Sequence, residues 1–288
     1  MSVMIPAEIV MWSAVLAGVL GLAIGSFLNV VIYRVPIGLS IVSPPSACLS
    51  CAAPIQAIDN LPVLSWLMLR GRCRHCAVAI SRQYPLIELI TGAFFASVTA
   101  WYLQQHSVQI GLGAGRSMLA SGLGLVALLY LAAVSVALAA IDIKLHRLPN
   151  RIVLPSYIVG IVLLVNSSLL SVDFAAILRM MIGLAVLWGG YYVLAFSVPG
   201  GMGFGDVKLA GLLGLFLGWL GWGSLAVGAF AAFLLGGLFA LGLVIARRAN
   251  RKSGIPFGPW MLAGAWLGVA LGDSALAGYL AFIGLPAA

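Results

Sequence analysis

Two of the seven acidic residues in this 288-residue chain stand where a carboxylate is costly, at the edges of long apolar runs. Asp142 ends one run, in Ile141-Asp142-Ile143-Lys144-Leu145-His146-Arg147-Leu148-Pro149-Asn150, and Asp206 opens another, in Gly203-Phe204-Gly205-Asp206-Val207-Lys208. Two carboxyls within hydrogen-bond reach cannot both ionise easily, so one keeps a proton while the other stays charged. Such a pair can hydrolyse a peptide bond: the charged member draws a proton from water and the protonated member polarises the scissile carbonyl. Gly203 and Gly205 leave side chains out beside Asp206, giving an extended substrate backbone room to approach, and Gly200 and Gly201 lengthen this loop. The competing reading is that Asp206 caps its helix and Asp142 pairs with Lys144 or Arg147; the residues by themselves leave both open.

A second constellation is made of sulfur. Cys48-x-x-Cys51 and Cys73-x-x-Cys76 are two knuckles with 21 residues between the inner cysteines. Four thiolates at such spacing can close a tetrahedral site around Zn²⁺. The surrounding segment, 34–84, is too short to fold on a core of its own, and a metal would supply what burial cannot. The alternative is a pair of redox-active or metal-free dithiols.

The elements that must carry these residues are set by composition. The chain is 63% hydrophobic and 8% charged, against about 25% charged in a soluble domain, so lipid is the solvent for most of it. Stretches 8–33, 85–104, 117–141, 152–169, 174–197, 206–221, 222–246 and 256–283 each approach the length of a spanning helix. The split between the sixth and seventh rests on Gly218, Gly221 and Gly223. With the N-terminus outside, thirteen of the fifteen Lys and Arg fall in inner loops, which selects that orientation. The first run has no basic residue before Arg34 and reads as a retained helix. The net charge of +8 is then a topological signal rather than a nucleic-acid footprint. Two spans separate Asp142 from Asp206, so both emerge at the cytoplasmic face. The expected fold is an all-α integral membrane protein of about eight helices. It divides into a first helix (1–33), a four-cysteine zinc subdomain (34–84) and a membrane peptidase domain (85–288).

At these residues the sequence resembles the type IV prepilin peptidases, membrane aspartic proteases of the GxGD type. The resemblance is carried by Gly25-Ser26-Phe27-Leu28-Asn29 through Arg34-Val35-Pro36, by Cys48 to Cys76 with Asp59-Asn60-Leu61-Pro62, and by Tyr84-Pro85-Leu86-Ile87-Glu88. It continues in Asp142 with Leu148-Pro149, in Gly203-Phe204-Gly205-Asp206, and in Ile255-Pro256-Phe257-Gly258-Pro259. It implies that Asp142 and Asp206 are catalytic, that Cys48, Cys51, Cys73 and Cys76 hold zinc, and that the substrate is a prepilin or a type II secretion pseudopilin. Members cut its basic leader just after a glycine at the cytoplasmic side of the bacterial inner membrane. Many also methylate the new N-terminus with S-adenosylmethionine, and relatives with the zinc loop are generally bifunctional. No residue here can be assigned to S-adenosylmethionine. Asn150 stands where many relatives carry Asp.

Rival readings are a peptidase without methylation, a proton-coupled transporter and a membrane metal sensor. Transport carboxylates belong near the bilayer midplane, whereas these stand at helix ends. Among single residues, Glu88 reads as a structural partner for an arginine of the 34–84 loop, with a place at the methylation site as the alternative. Asn29 reads as an organiser of substrate or loop, Lys208 as a neighbour that tunes Asp206 or as an anchor, and Pro256 and Pro259 as the shapers of the last helix.

Overall fold

The computed structural model describes residues 5–106, 115–197, 202–246 and 256–284. Gly200, Gly201, Ile255 and the basic residues Arg247, Arg248, Arg251 and Lys252, all used in reading the sequence, lie outside the described residues. The elements run as α1 (Ala7–Arg34), a 3₁₀ turn (Ala57–Asn60), α2 (Leu64–Met68), α3 (Gln83–Gln105), α4 (Gly115–Leu145) and α5 (Asn150–Ser171). They continue as α6 (Phe174–Ser197), α7 (Phe204–Leu220), α8 (Trp222–Ile245) and α9 (Gly258–Phe282). Seven of them, α1, α3, α4, α5, α6, α8 and α9, are long and apolar enough to cross a bilayer, and the protein is a multi-pass membrane protein.

The chain divides into two compact units, Met1–Ser121 with Leu128–Ala140, and Gly122–Ala127 with Ile141–Ala288. In the first, α1 and α3 lie close together. Gly25 rests on the backbone of Glu88, where an added Cβ would stand 2.7 Å from the Glu88 Cα, and Gly21 rests in the same way on Gly92. Small residues at such crossings let helix backbones approach, which is how helices associate where lipid cancels the hydrophobic drive.

In the second unit the sixth expected span is α7, with 17 residues. At about 1.5 Å per residue it covers roughly 26 Å, the lower limit for crossing hydrocarbon. Val207 and every residue from Leu209 to Gly218 are buried. A helix that is apolar on all sides and buried on all sides is a core element. Glycine makes this possible: Gly214 lies against the Gly183 carbonyl and Gly218 against the Arg179 carbonyl, with no room for a side chain at either. The same device joins α8 to α9, where Gly264, Gly268 and Gly272, one helical turn apart, meet Ala232, Gly228 and Ser224. The sixth and seventh expected spans separate at Gly221, a single extended residue (φ 163°, ψ 169°) between α7 and α8.

Candidate functional site

Asp142 lies one turn before the end of α4 and is 5% exposed. Its Oδ2 accepts the backbone N–H of Gly258 at 3.1 Å. Gly258 is the first residue of α9 and Pro259 follows it. The free N–H groups of a helix start favour an anion, so α9 presents its positive end to Asp142. A Cβ at Gly258 would stand 2.7 Å from Asp142 Oδ2, which makes glycine the residue that lets this N–H reach the carboxylate. Sequence reasoning assigned Pro256 and Pro259 to the entry of the last helix and missed that Gly258 between them serves Asp142. The Gly-Pro pair at a helix start is the signal that could have flagged it.

Asp206 is the third residue of α7 and is half-buried. Its Oδ2 accepts the Gly203 N–H at 3.1 Å, and its own N–H returns to the Gly203 carbonyl at 3.0 Å. The two carboxyl-bearing ends are linked through Leu148, which packs against Gly205, the neighbour of Asp206, and against Gly258, the donor to Asp142. Tyr191 belongs to an aromatic cluster with Phe233 and Phe257, ring centroids 5.3 and 6.3 Å away.

The turn joining α4 to α5 passes beside both aspartates. His146, at φ +50°, donates its N–H to the Asp142 carbonyl at 2.9 Å. Leu148 fills the space left by two glycines: a Cβ at Gly205 would stand 3.1 Å from Leu148 Cβ, and one at Gly258 would stand 3.4 Å from Leu148 Cδ2. The room beside Gly205 is therefore taken by an internal side chain, whereas Gly203 is exposed and its missing Cβ would meet Asp206 alone among side chains. Lys208 points elsewhere than its sequence neighbour suggests. Its Nζ donates to Asn150 Oδ1 at 3.0 Å and lies 5.0 Å from the Phe204 ring centroid, and its carbonyl accepts the Tyr157 hydroxyl.

The four-cysteine centre belongs to the first unit. Each knuckle is built alike: Cys48 N–H donates to Ala53 O and Cys73 N–H to Val78 O, while Ala52 N–H and Ala77 N–H return to the carbonyls of Cys48 and Cys73. Ala52 and Ala77 take left-handed backbone, φ +55° and +57°. The four Sγ atoms all lie within 4.8 Å of one another, and Cys48 and Cys76 are 3.8 Å apart. Sulfurs held about 2.3 Å from a central ion in a tetrahedron stand roughly 3.8 Å apart, so the donor set fits a metal. The electrostatics agree. Backbone N–H groups of Cys51 and Ser50 hold the Cys48 thiol down to about 6. Despite the Val78 N–H, desolvation and the three neighbouring sulfurs push Cys76 up to about 12. Four sulfurs this close need a cation among them before all can be thiolates. Asp59 holds Arg74 through Nε at 2.9 Å and through Nη2, pinning the 3₁₀ turn to the second knuckle, and Arg74 keeps the Asp59 carboxyl below the usual carboxylate range.

Glu88 is buried, but the partner expected among the arginines is instead a backbone group: Glu88 Oε2 accepts the Val63 N–H at 2.7 Å. Asn29 donates to Gly25 O at 3.3 Å and to Tyr84 O at 3.1 Å, tying α1 to the start of α3.

The helices, the carboxylate pair and the sulfur cluster define a polytopic membrane protein with an acidic site at helix ends and a metal-competent loop. The profile of the bacterial peptidase A24 N-terminal domain matches residues 19–102, spanning the four cysteines, and that of the type IV leader peptidase family matches residues 128–245, spanning both aspartates. The prepilin leader peptidase/N-methyltransferase of Aeromonas hydrophila is 35% identical over 90% of this chain and 91% of its own length. The protein of that name from Pseudomonas putida is 36% identical over 93% and 94%, and that from Neisseria gonorrhoeae 33% identical over 90% and 91%. No solved structure matches the chain. The chain belongs to the type IV leader peptidase family.

Proposed function

We propose that this protein cleaves the leader of type IV prepilins or type II secretion pseudopilins with Asp142 and Asp206, and then methylates the new N-terminus. The observation that supports the reading is that Leu148 packs against both Gly205, next to Asp206, and Gly258, whose N–H holds Asp142, so the two carboxyl-bearing helix ends meet at one turn. A carboxylate of the pair takes a proton from water as the water oxygen bonds to the scissile carbonyl carbon. The other, protonated, carboxyl gives its proton to the carbonyl oxygen. The C–N bond then breaks as the proton taken from water passes to the leaving amine and a hydroxyl proton of the intermediate returns to the second carboxylate, which restores the pair. The Gly258 and Gly203 N–H groups fix the two carboxyls, and the α9 start supplies a dipole that needs no reorganisation during the reaction.

The same reading gives Cys48, Cys51, Cys73 and Cys76 to Zn²⁺, which would staple the 34–84 segment; the sulfur spacing supports this ion. S-adenosylmethionine supplies the methyl group, and no residue is assigned to it. The positions of Lys and Arg support an inner-membrane protein with its N-terminus outside and both sites facing the cytoplasm. The test is to incubate the purified protein with a prepilin and S-adenosylmethionine and to read the product N-terminus by mass spectrometry. Asp142→Asn and Asp206→Asn are each expected to abolish cleavage while the protein stays inserted. Full cleavage in either variant overturns the assignment, and an unmethylated product removes the second activity alone.

A further inference from the structure

We propose that the corner from Leu61 to Met68 is a wedge that enters the bilayer interface, with Leu61, Leu64, Leu67 and Met68 in contact with lipid. These four side chains are 46%, 59%, 58% and 72% exposed in a segment that sequence reading placed in the cytoplasm. Leu64, Leu67 and Met68 stand at i, i+3 and i+4 and share one face of α2. Trp66 is turned the other way, its indole N–H donating to Ile80 O at 3.2 Å and its ring lying under Gly71.

Two hydrogen bonds fix how deep the corner sits. Asn60 Oδ1 accepts the Ser26 hydroxyl at 3.4 Å, and Ser26 lies eight residues before Arg34, the last of α1, about 12 Å along the helix axis. Val63 donates to Glu88, five residues past Gln83, the first of α3, about 8 Å along that axis. The corner thus folds back along the α1–α3 pair, past Arg34 and Arg82, basic residues of the kind that mark the membrane–water boundary. A depth of roughly 8 to 12 Å is that of an interfacial helix with its apolar face in the headgroup–acyl region.

Four backbone donors of the corner are satisfied within the protein, which suits a segment at that depth. Val63 N–H goes to Glu88, Leu64 N–H to Pro62 O, Ser65 N–H to Leu61 O and Leu67 N–H to Val63 O, and Pro62 has none to satisfy. Val63 takes φ +61° with ψ −49°, the rare γ-turn conformation closed by the Leu64 N–H to Pro62 O hydrogen bond. The buried Glu88 carboxylate holds it there, and the turn carries Leu61 and Leu64 outward. Arg70 and Arg72 follow directly and are exposed, where lipid phosphates would meet them.

The experiment uses the full chain in nanodiscs of phosphatidylethanolamine and phosphatidylglycerol. A photo-crosslinking benzoylphenylalanine replaces Leu67 or Met68, and, as a reference, Leu49 on the first knuckle, which is 75% exposed. Adducts are identified by mass spectrometry. Lipid adducts at Leu67 and Met68, about tenfold more abundant than at Leu49, are expected of a side chain in the interface. Adducts to a second copy or to an added prepilin at these positions, or lipid yields no higher than at Leu49, overturn the proposal. The unaltered protein gives an independent reading by hydroxyl-radical footprinting in the same nanodiscs: Met68 is expected to be oxidised about tenfold more slowly than a methionine in free solution, and oxidation at the free-solution rate overturns the proposal.

Discussion

The backbone N–H of Gly258 lies 3.1 Å from the carboxylate of Asp142, a hydrogen bond between residues 116 apart in the chain. Through it the start of α9 becomes part of the site at the end of α4. The missing side chain at Gly258 is what the contact requires, because a methyl group there would collide with the carboxylate oxygen. Gly258→Ala is therefore expected to displace Asp142 and to lower kcat/KM for prepilin cleavage by about 10²-fold, the usual cost of misplacing a catalytic group by an ångström. Cleavage kinetics on membrane-inserted protein measure this, and wild-type kinetics would show that the N–H is dispensable.

The Lys208–Asn150 hydrogen bond joins the second turn of α7 to the first residue of α5, just after the turn that carries Leu148. Lys208→Met or Asn150→Leu is expected to cost less than about 1 kcal/mol of stability, since a partly exposed polar pair contributes little. Asn150→Asp converts the bond to an ion pair and is expected to leave cleavage intact and raise the melting temperature slightly. A double-mutant cycle in detergent checks whether the two residues couple.

With Zn²⁺ held by the four cysteines as proposed, chelating it, or Cys73→Ser, is expected to unfold the segment around the two knuckles while leaving α5 to α9 and the aspartates in place. Structural zinc commonly contributes on the order of 10 kcal/mol to such small sites. Limited proteolysis between 34 and 84 should accelerate at least tenfold. Leader cleavage should persist in part and methylation should fall further; loss of both together with the melting of the whole protein would contradict this division.

At the α8–α9 crossing, a Cβ on Gly268 would meet the Ser224 carbonyl and the Gly228 backbone. Gly268→Val forces the helices apart and is expected to cost about 1–3 kcal/mol or more. The loss is read as a lower melting temperature in detergent, with Gly278→Val, where nothing lies within 4 Å, as the control.

The helices were legible in the sequence because lipid imposes a length and a composition that no other solvent imposes. The placement of Asp142 at one helix end and Asp206 at another followed from the same runs. What escaped was of two kinds. Partners supplied by the backbone leave no mark in a sequence, so Glu88 was given an arginine when it holds the Val63 N–H, and Gly258 was passed over beside its prolines. Burial inside a membrane is equally silent: α7 is apolar on every face, as a lipid-facing span would be, and only its glycines against Gly183 and Arg179 reveal that protein surrounds it. The room beside Gly205 was assigned to substrate on composition, and Leu148 occupies it.

The burial of α7 has a consequence for how the molecule lives in different membranes. Bilayers vary in thickness by several ångströms, and spans exposed to acyl chains answer by tilting or stretching. The helix that bears Asp206 has neighbours in place of acyl chains along nearly its whole length. Changes in lipid are thus absorbed by the outer helices before they reach that carboxyl, which frees the surface of the protein to drift in sequence while its inner register stays put.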